Sequence, residues 1–389
     1  MDIPSCDIDL YSDATLANTG AQYQKLRALG PIVHLPANDL YAITHFDTVR
    51  AALRAGDVLI SGKGVAANDI INSAANEATI TSDGATHKHR RSILMRPLTP
   101  KSLKAVASRI DESADALVKR LVAGGVFCGV RDFAHHLPVS IVAELVGLEE
   151  TGRENMLEWA AATFDALGPM NDRTASALPV ALGLLKYVQD LGPDQVRPGG
   201  WAGAILAALE AGEITPGEAG LMIVDYTAPS LDTTILATAH MLWRLAVTPG
   251  AFAALKEDPK LISSAVNESV RLASPVRSFT RFAASDYVCD AGTIPARARV
   301  SVLYASANWD DQHYEAAEVF NVNRNPRDHM GWGHGAHLCA GMHLARLEME
   351  ALLRALVAHV ERIEVDKPTP IVNNILQGFA VLPTTLHSH

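Results

Sequence analysis

Two periodicities share this chain unequally. Strand-like runs, rich in apolar residues, are short and few. These are Ile32-Val33-His34-Leu35 and Leu40-Tyr41-Ala42-Ile43-Thr44 near the start, and a further group around residues 286–303. Helical spacing covers far more of the chain, over roughly 101–122, 139–147, 151–166, 175–191 and 201–211. Thr215-Pro216-Gly217-Glu218 reads as a capping box with proline in the first helical turn. It predicts a helix that runs to about Val247, ahead of Thr248-Pro249-Gly250. That helix is apolar almost all round, through Leu221, Met222, Ile223, Leu231, Ile235, Leu236, Met241 and Leu242, so it belongs inside the protein. Arg197-Pro198-Gly199-Gly200 reads as a turn rather than a linker, and no segment repeats. The pattern predicts one mainly helical domain over residues 1–389 with a smaller β-sheet part.

Composition adds limits. A chain of 389 residues that is 48% hydrophobic and 20% charged can bury a large core and remain soluble. Its four cysteines, Cys6, Cys128, Cys289 and Cys339, are too scattered for a disulfide framework, which points to a reducing compartment, the cytoplasm. Met1-Asp2-Ile3-Pro4-Ser5-Cys6-Asp7 lacks the basic and apolar regions of a signal peptide. No apolar run reaches the roughly 18 residues of a spanning helix, so no membrane association is expected. A net charge of −10 argues against nucleic acid as a partner.

Chemistry concentrates in three places. Gly331-Trp332-Gly333-His334-Gly335-Ala336-His337-Leu338-Cys339-Ala340-Gly341 surrounds one cysteine with glycines, just before a helical pattern. Glycines let a flat group approach the backbone, thiolate is a soft metal donor, and a helix start favours the ionised sulfur. A buried structural cysteine, or zinc held with His334 and His337, are the competing readings of the loop alone. Within the apolar helix stands Ala228-Pro229-Ser230-Leu231-Asp232-Thr233-Thr234. Proline removes the partner of the Asp225 carbonyl and predicts a kink beside a carboxylate and a hydroxyl. A plain kink, with Asp232 ion-paired and Thr233 capping locally, is the alternative. Lastly, His87 and Arg91 are spaced i, i+4 within Asp83-Gly84-Ala85-Thr86-His87-Lys88-His89-Arg90-Arg91, and Glu268-Ser269-Val270-Arg271 places acid and base at i, i+3.

Trp332-Gly-x-Gly-x-His337-x-Cys339-x-Gly341 resembles the haem-ligand loop of the cytochrome P450 family, with tryptophan where phenylalanine is usual. Asp232-Thr233 resembles the family's acid–alcohol pair, although Pro229-Ser230 replaces its small-residue and glycine pair. The Glu268/Arg271 and Phe320-to-Arg324 segments resemble its structural network, and Asp83 to Arg91 its propionate-binding segment. The resemblance implies the P450 fold and haem b (iron protoporphyrin IX) with Cys339 as axial ligand. It implies propionate partners His87, Arg91, Arg281 and His337, proton delivery by Asp232 and Thr233, and a scaffold of Glu268, Arg271 and Arg324. The implied activity is that of a soluble, monomeric bacterial monooxygenase, using O2 and electrons from an iron–sulfur ferredoxin with an NAD(P)H-dependent reductase. Lys88, Arg90, Arg96, Lys101 and Lys104 form the basic patch expected to receive that carrier. An indole N–H from Trp332 aimed at the sulfur would raise the iron potential.

By the same resemblance the pocket draws on Val65, Ile70, Ile71, Ile80, Phe164, Leu167, Ser230, Leu231, Val276, Arg277 and Phe279. These imply a small or medium lipophilic substrate, hydroxylated or O-demethylated, with small aromatic compounds first and terpenoids next. An inward Arg277 would hold a carboxylate, while a structurally paired Arg277 is the plainer reading. A peroxide-driven peroxygenase and a non-catalytic haem-binding protein are the rival functions. The Asp232-Thr233 pair argues against both.

Overall fold

The computed structural model describes residues 2–388. Five short strands, β1 (Ile32–Leu35), β2 (Leu40–Ile43), β3 (Leu59–Ile60), β4 (Ser278–Ala283) and β5 (Arg299–Leu303), form one sheet in the order β1-β2-β5-β4-β3. β2 and β5 run parallel, with Tyr41 beside Val300, and the other pairs are antiparallel. The strand-like runs at the start and near residue 300 therefore meet in one sheet, although more than 250 residues of sequence separate them.

Helices make up most of the remainder: α1 (Gly84–Leu94), α2 (Pro100–Gly124), α3 (Glu150–Ala166), α4 (Asp172–Gln189), α5 (Pro216–Thr227), α6 (Asp232–Val247), α7 (Ile262–Ala273) and α8 (Met342–His359). The starts follow the caps in the sequence. Thr215 accepts the Glu218 N–H at 3.2 Å, and the Glu218 carboxylate accepts the Thr215 N–H at 2.8 Å. Thr99 caps α2, whose second side of defence against fraying is proline at the first position. α2 lies along α8 and α6 along α7, and Ile110, Leu117, Met241, Leu242, Leu352, Leu353 and Leu356 are buried together between them.

The long central helix differs from its prediction. It is two helices, α5 and α6, separated by Ala228-Pro229-Ser230-Leu231. A proline inside a helix both removes a donor and crowds the preceding turn, and here that ends the helix rather than bending it. The Thr233 hydroxyl donates to the Pro229 carbonyl at 2.9 Å, which anchors the first turn of α6 across the break. The predicted 139–147 helix is also irregular, with wide π-type turns over Pro138–Val142 before a short α-helix at Ala143–Val146.

Glu268 and Arg271, on α7, are fully buried. Arg271 Nε and Nη2 donate to the two Glu268 oxygens at 2.7 and 2.8 Å, and Arg324 Nε adds a third bond at 3.0 Å. Arg271 Nη1 serves the carbonyls of Asn308 and Ala317, and the guanidinium lies 4.8 Å from the Tyr314 ring centroid. A surface ion pair is therefore the wrong description of this motif. It is an interior knot whose charges all have partners, joining α7 to the chain that leads into the cysteine loop.

Candidate active site

The cysteine loop is held by its backbone. Cys339 N–H donates to the Trp332 carbonyl at 2.8 Å. Gly335 has φ +72°, and a Cβ there would stand 2.6 Å from the Leu53 carbonyl oxygen, so only glycine fits. Cys339 thus sits just before α8, on the wall of a cavity of about 350 Å³ deep in the protein. Burial pushes its thiol up, against the Gly341 and Met342 N–H groups and Arg91, which pull it down. The N–H groups at the helix start favour the ionised sulfur, as expected from the sequence, but burial outweighs them. A coordinated metal ion would keep it ionised, because it replaces the proton outright. His334 is turned outward, where Arg54 Nε donates to it at 2.8 Å, so it does not share a site with Cys339.

Lining the same cavity as the sulfur are His87 and Arg91 from α1, Arg281 from β4, and His337. Arg91 donates to the Leu338 carbonyl and Arg281 to the Thr280 carbonyl. Neither guanidinium forms an ion pair among the described residues. The His87 and His337 rings lie 4.2 Å apart, and burial lowers the pKa of both, His337 to about 3. Both imidazoles are neutral, and His87 Nε2 is buried with no partner. Two unpaired cations, two neutral imidazoles and one sulfur suit a flat, dianionic, metal-bearing group, and few other ligands would satisfy all of them.

The α5–α6 break supplies another wall through Ala228, Pro229, Ser230, Thr233 and Thr234. Asp232 lies next to Thr233 but outside the lining. Its Oδ2 is buried without a hydrogen bond, and burial alone pushes its pKa up to about 7. The alternative in which Asp232 is simply ion-paired therefore fails.

Of the expected pocket residues, Val65, Ile71, Ile80, Phe164, Leu167, Ser230, Val276 and Phe279 line the cavity. Three do not. Ile70 is 49% exposed, because its neighbour Ile71 takes the inward position of their short helix. Leu231 packs into the helical core. Arg277 is buried on the side opposite Val276, where it donates to the Asn373 carbonyl near Tyr11 and Tyr23. Adjacent residues of extended chain point opposite ways, and this is the structurally paired arginine of the plainer reading.

The basic patch is also smaller than expected. Arg90 is buried against Glu218, and Arg96, although exposed, makes two bonds to Glu213, which leaves Lys88, Lys101 and Lys104 as the exposed members with no ion pair among the described residues. Trp332 Nε1 is buried without a partner and makes no hydrogen bond to the Cys339 sulfur. Sequence reasoning missed Asp225, Thr79 and Glu348, all on the cavity wall. The available signal for Asp225 was a lone carboxylate in an apolar helix. Thr79, in a loop without periodicity, gave none.

A thiol and unpaired cations sharing a deep apolar cavity have the chemistry that would suit a haem–thiolate site. The cytochrome P450 family model matches residues 210–387. Cytochrome P450 CYP199A2 of Rhodopseudomonas palustris is 32% identical over 390 residues, spanning 99% of this chain and 95% of that protein. The beta-dihydromenaquinone-9 omega-hydroxylase of Mycobacterium tuberculosis is 27% identical, over 97% of this chain and 78% of its own length. Among solved structures, Mycobacterium marinum cytochrome P450 CYP268A2 in complex with pseudoionone superposes with a TM-score of 0.88 at 27% identity, covering 98% of this chain and 99% of that one. P450BioI, in complex with an acyl carrier protein ligated to hexadec-9Z-enoic acid, shares the fold at a TM-score of 0.87, with 22% identity over 96% of this chain and all of its own. The chain belongs to the cytochrome P450 family, whose members are haem-iron monooxygenases. No helix among the described residues is long and apolar enough to cross a membrane.

Proposed function

We propose that this protein binds haem b through Cys339 and inserts one atom of O2 into a C–H bond of a small or medium lipophilic molecule, the other atom leaving as water. The observation that carries this reading is the Cys339 sulfur opening onto the same cavity as two unpaired guanidinium groups. When bound, the haem supplies the oxidising power, and a thiolate ligand favours O–O cleavage over simple oxygen storage.

The chain's own contribution is orientation, dryness and protons. Arg91 and Arg281 neutralise the two propionates, while the neutral His87 and His337 donate N–H bonds to them. Ile71, Ile80, Phe164, Val276 and Phe279 keep water away and hold an apolar substrate, and the two phenylalanines suit an aromatic ring. Thr233 keeps its hydroxyl at the cavity wall by donating to Pro229. Asp232 behind it, with a pKa near 7, both releases and recovers a proton at neutral pH, as a relay to that hydroxyl must. An iron–sulfur ferredoxin with an NAD(P)H-dependent reductase is the proposed electron source, docking beside Lys88, Lys101 and Lys104. The lipophilic ligands of the pseudoionone and hexadecenoyl complexes support the substrate class.

The test is reductant consumption that depends on substrate, with ferredoxin and reductase present, compared with turnover driven by hydrogen peroxide. Product formed in step with reductant consumption supports the monooxygenase. Turnover by peroxide alone makes the protein a peroxygenase, and no turnover by either route makes it a haem carrier.

A further inference from the structure

Helix α5 presents one carboxylate to the cavity. Asp225 lies deep in the protein on the cavity wall, between Val224 and Tyr226, and its Oδ2 accepts the Thr79 N–H at 3.0 Å. The Thr79 hydroxyl beside it is buried and lines the same cavity. Asp225 forms no ion pair among the described residues. The nearby cations are otherwise engaged: Arg90 holds Glu218 and the Ala78 carbonyl, and Arg91 donates to the Leu338 carbonyl.

On the haem reading above, on which this inference rests, Arg91 and Arg281 are taken up by the cofactor's own carboxylates. Asp225 is then the uncompensated charge. Glu348, the other cavity-wall carboxylate, is kept neutral at pH 7 by burial, which pushes its pKa to about 8. Burial lifts Asp225 less, to about 6, because Thr79, Arg90 and Arg91 pull it down, and a cationic group placed against it would hold it ionised. An isolated carboxylate among walls such as Ile71, Ile80, Leu184 and Leu221 costs several kcal/mol unless something pairs with it. A substrate that carried its own carboxylate would meet repulsion there, and Arg277 is not available to receive it.

We propose that Asp225, with the Thr79 hydroxyl beside it, selects a substrate bearing a cationic nitrogen, so that the pocket takes a lipophilic ammonium compound. The carboxylate holds the charged end at the α5 wall, and the apolar remainder of the molecule occupies the rest of the cavity. Asp225 is thus a specificity-determining residue that takes no part in oxygen activation.

The test uses two probes of one shape: trimethyl(2-phenylethyl)ammonium and its carbon isostere, 3,3-dimethylbutylbenzene. The quaternary nitrogen has no lone pair, so it cannot ligate iron and mimic binding. Dissociation constants for the haem-loaded protein are read by calorimetry and by the haem absorption shift. The cation is expected to bind at least about ten-fold more tightly than the isostere. Asp225→Asn should bring that ratio close to one while leaving the isostere's constant unchanged. Equal binding of the two probes by the wild-type protein overturns the proposal, as does a preference that survives in Asp225→Asn. Tighter binding of 3-phenylpropanol than of the cation also overturns it, since Asp225 would then select a neutral donor. The reduced carbon-monoxide spectrum of each sample keeps the two readings apart: a thiolate-type spectrum with charge-blind binding rejects the ammonium site alone. If Asp225→Asn does not take up haem, the comparison of probes on the wild-type protein still decides.

Discussion

Two sets of buried polar groups stand in this molecule, and they are satisfied very differently. Around Glu268 and Arg271 every charge has a partner of opposite sign or a carbonyl, with nothing left over. Around the cavity, His87 Nε2, Asp232 Oδ2 and Glu348 Oε1 are all buried without partners, and two guanidinium groups lack counter-ions. Burial is similar, so the contrast is one of completion. The first set is finished by the chain itself and serves as scaffold. The second is unfinished, and unfinished polar groups in a dry cavity are the mark of a place where something else binds and reacts.

The sharpest way to break that comparison is to leave the scaffold knot unfinished. Arg271→Ala removes two of the bonds to the fully buried Glu268, leaving Arg324 as its one cation, and abandons the Asn308 and Ala317 carbonyls; it should cost about 3–5 kcal/mol, a large part of a typical stability of about 5–15 kcal/mol. Denaturant unfolding checks it, and a loss below about 1 kcal/mol would place this pair with ordinary surface bridges. The cavity groups should behave in the opposite way. Thr233→Ala should leave the fold within about 1 kcal/mol yet reduce product formed per reductant consumed by about a hundred-fold, because the proton route is cut.

Asp232 adds a pH signature. Burial raises its folded pKa to about 7, above its unfolded value, so the stability linked to its protonated form is complete at low pH and lost as pH rises through 7. Asp232→Asn should therefore stabilise the protein at pH 9, by up to about 4 kcal/mol, and change little at pH 4. Wild-type turnover is expected to fall as pH passes 7, and Asp232→Asn, slower throughout because the relay is lost, should lack that dependence. Thermal unfolding and rate profiles across that range test both signs. Next in size, Arg91→Gln should accelerate haem loss to an acceptor protein by roughly ten- to a hundred-fold without destabilising the haem-free chain, since that guanidinium has no ion-pair partner to abandon. Smallest of all is Trp332→Phe. Its indole N–H does not reach the sulfur, so the reduction potential should stay within error of the wild-type value.

What could be read in the sequence follows the same division. The capping box at Thr215 and the strand runs near residues 32 and 300 were legible because their signals are local. So was the cysteine loop, whose Gly335 sits where a side chain would collide with Leu53. The end of α5 at Thr227 was under-read as a kink, because the sequence shows that Pro229 disturbs the helix but not by how much. Ile70, Leu231 and Arg277 were misplaced for a related reason: position near a pocket does not fix direction, and one residue of offset turns a side chain to the other face. Arg90 and Arg96 were counted as free positive charge because Glu218 and Glu213, more than a hundred residues away, cannot be paired with them before folding. Asp225 and Thr79 were invisible as a pair for the same reason.

The central claim is that Cys339 closes the unfinished set by ligating haem iron. Its most direct test is the carbon-monoxide difference spectrum of the reduced, haem-reconstituted protein and of Cys339→Ser, with haem content measured on both. The wild-type protein should show the strongly red-shifted band of a thiolate-ligated haem. Cys339→Ser should still bind haem, through Arg91 and Arg281, but lack that band. A red-shifted band that persists in Cys339→Ser, or its absence from the fully loaded wild-type protein, would contradict the account.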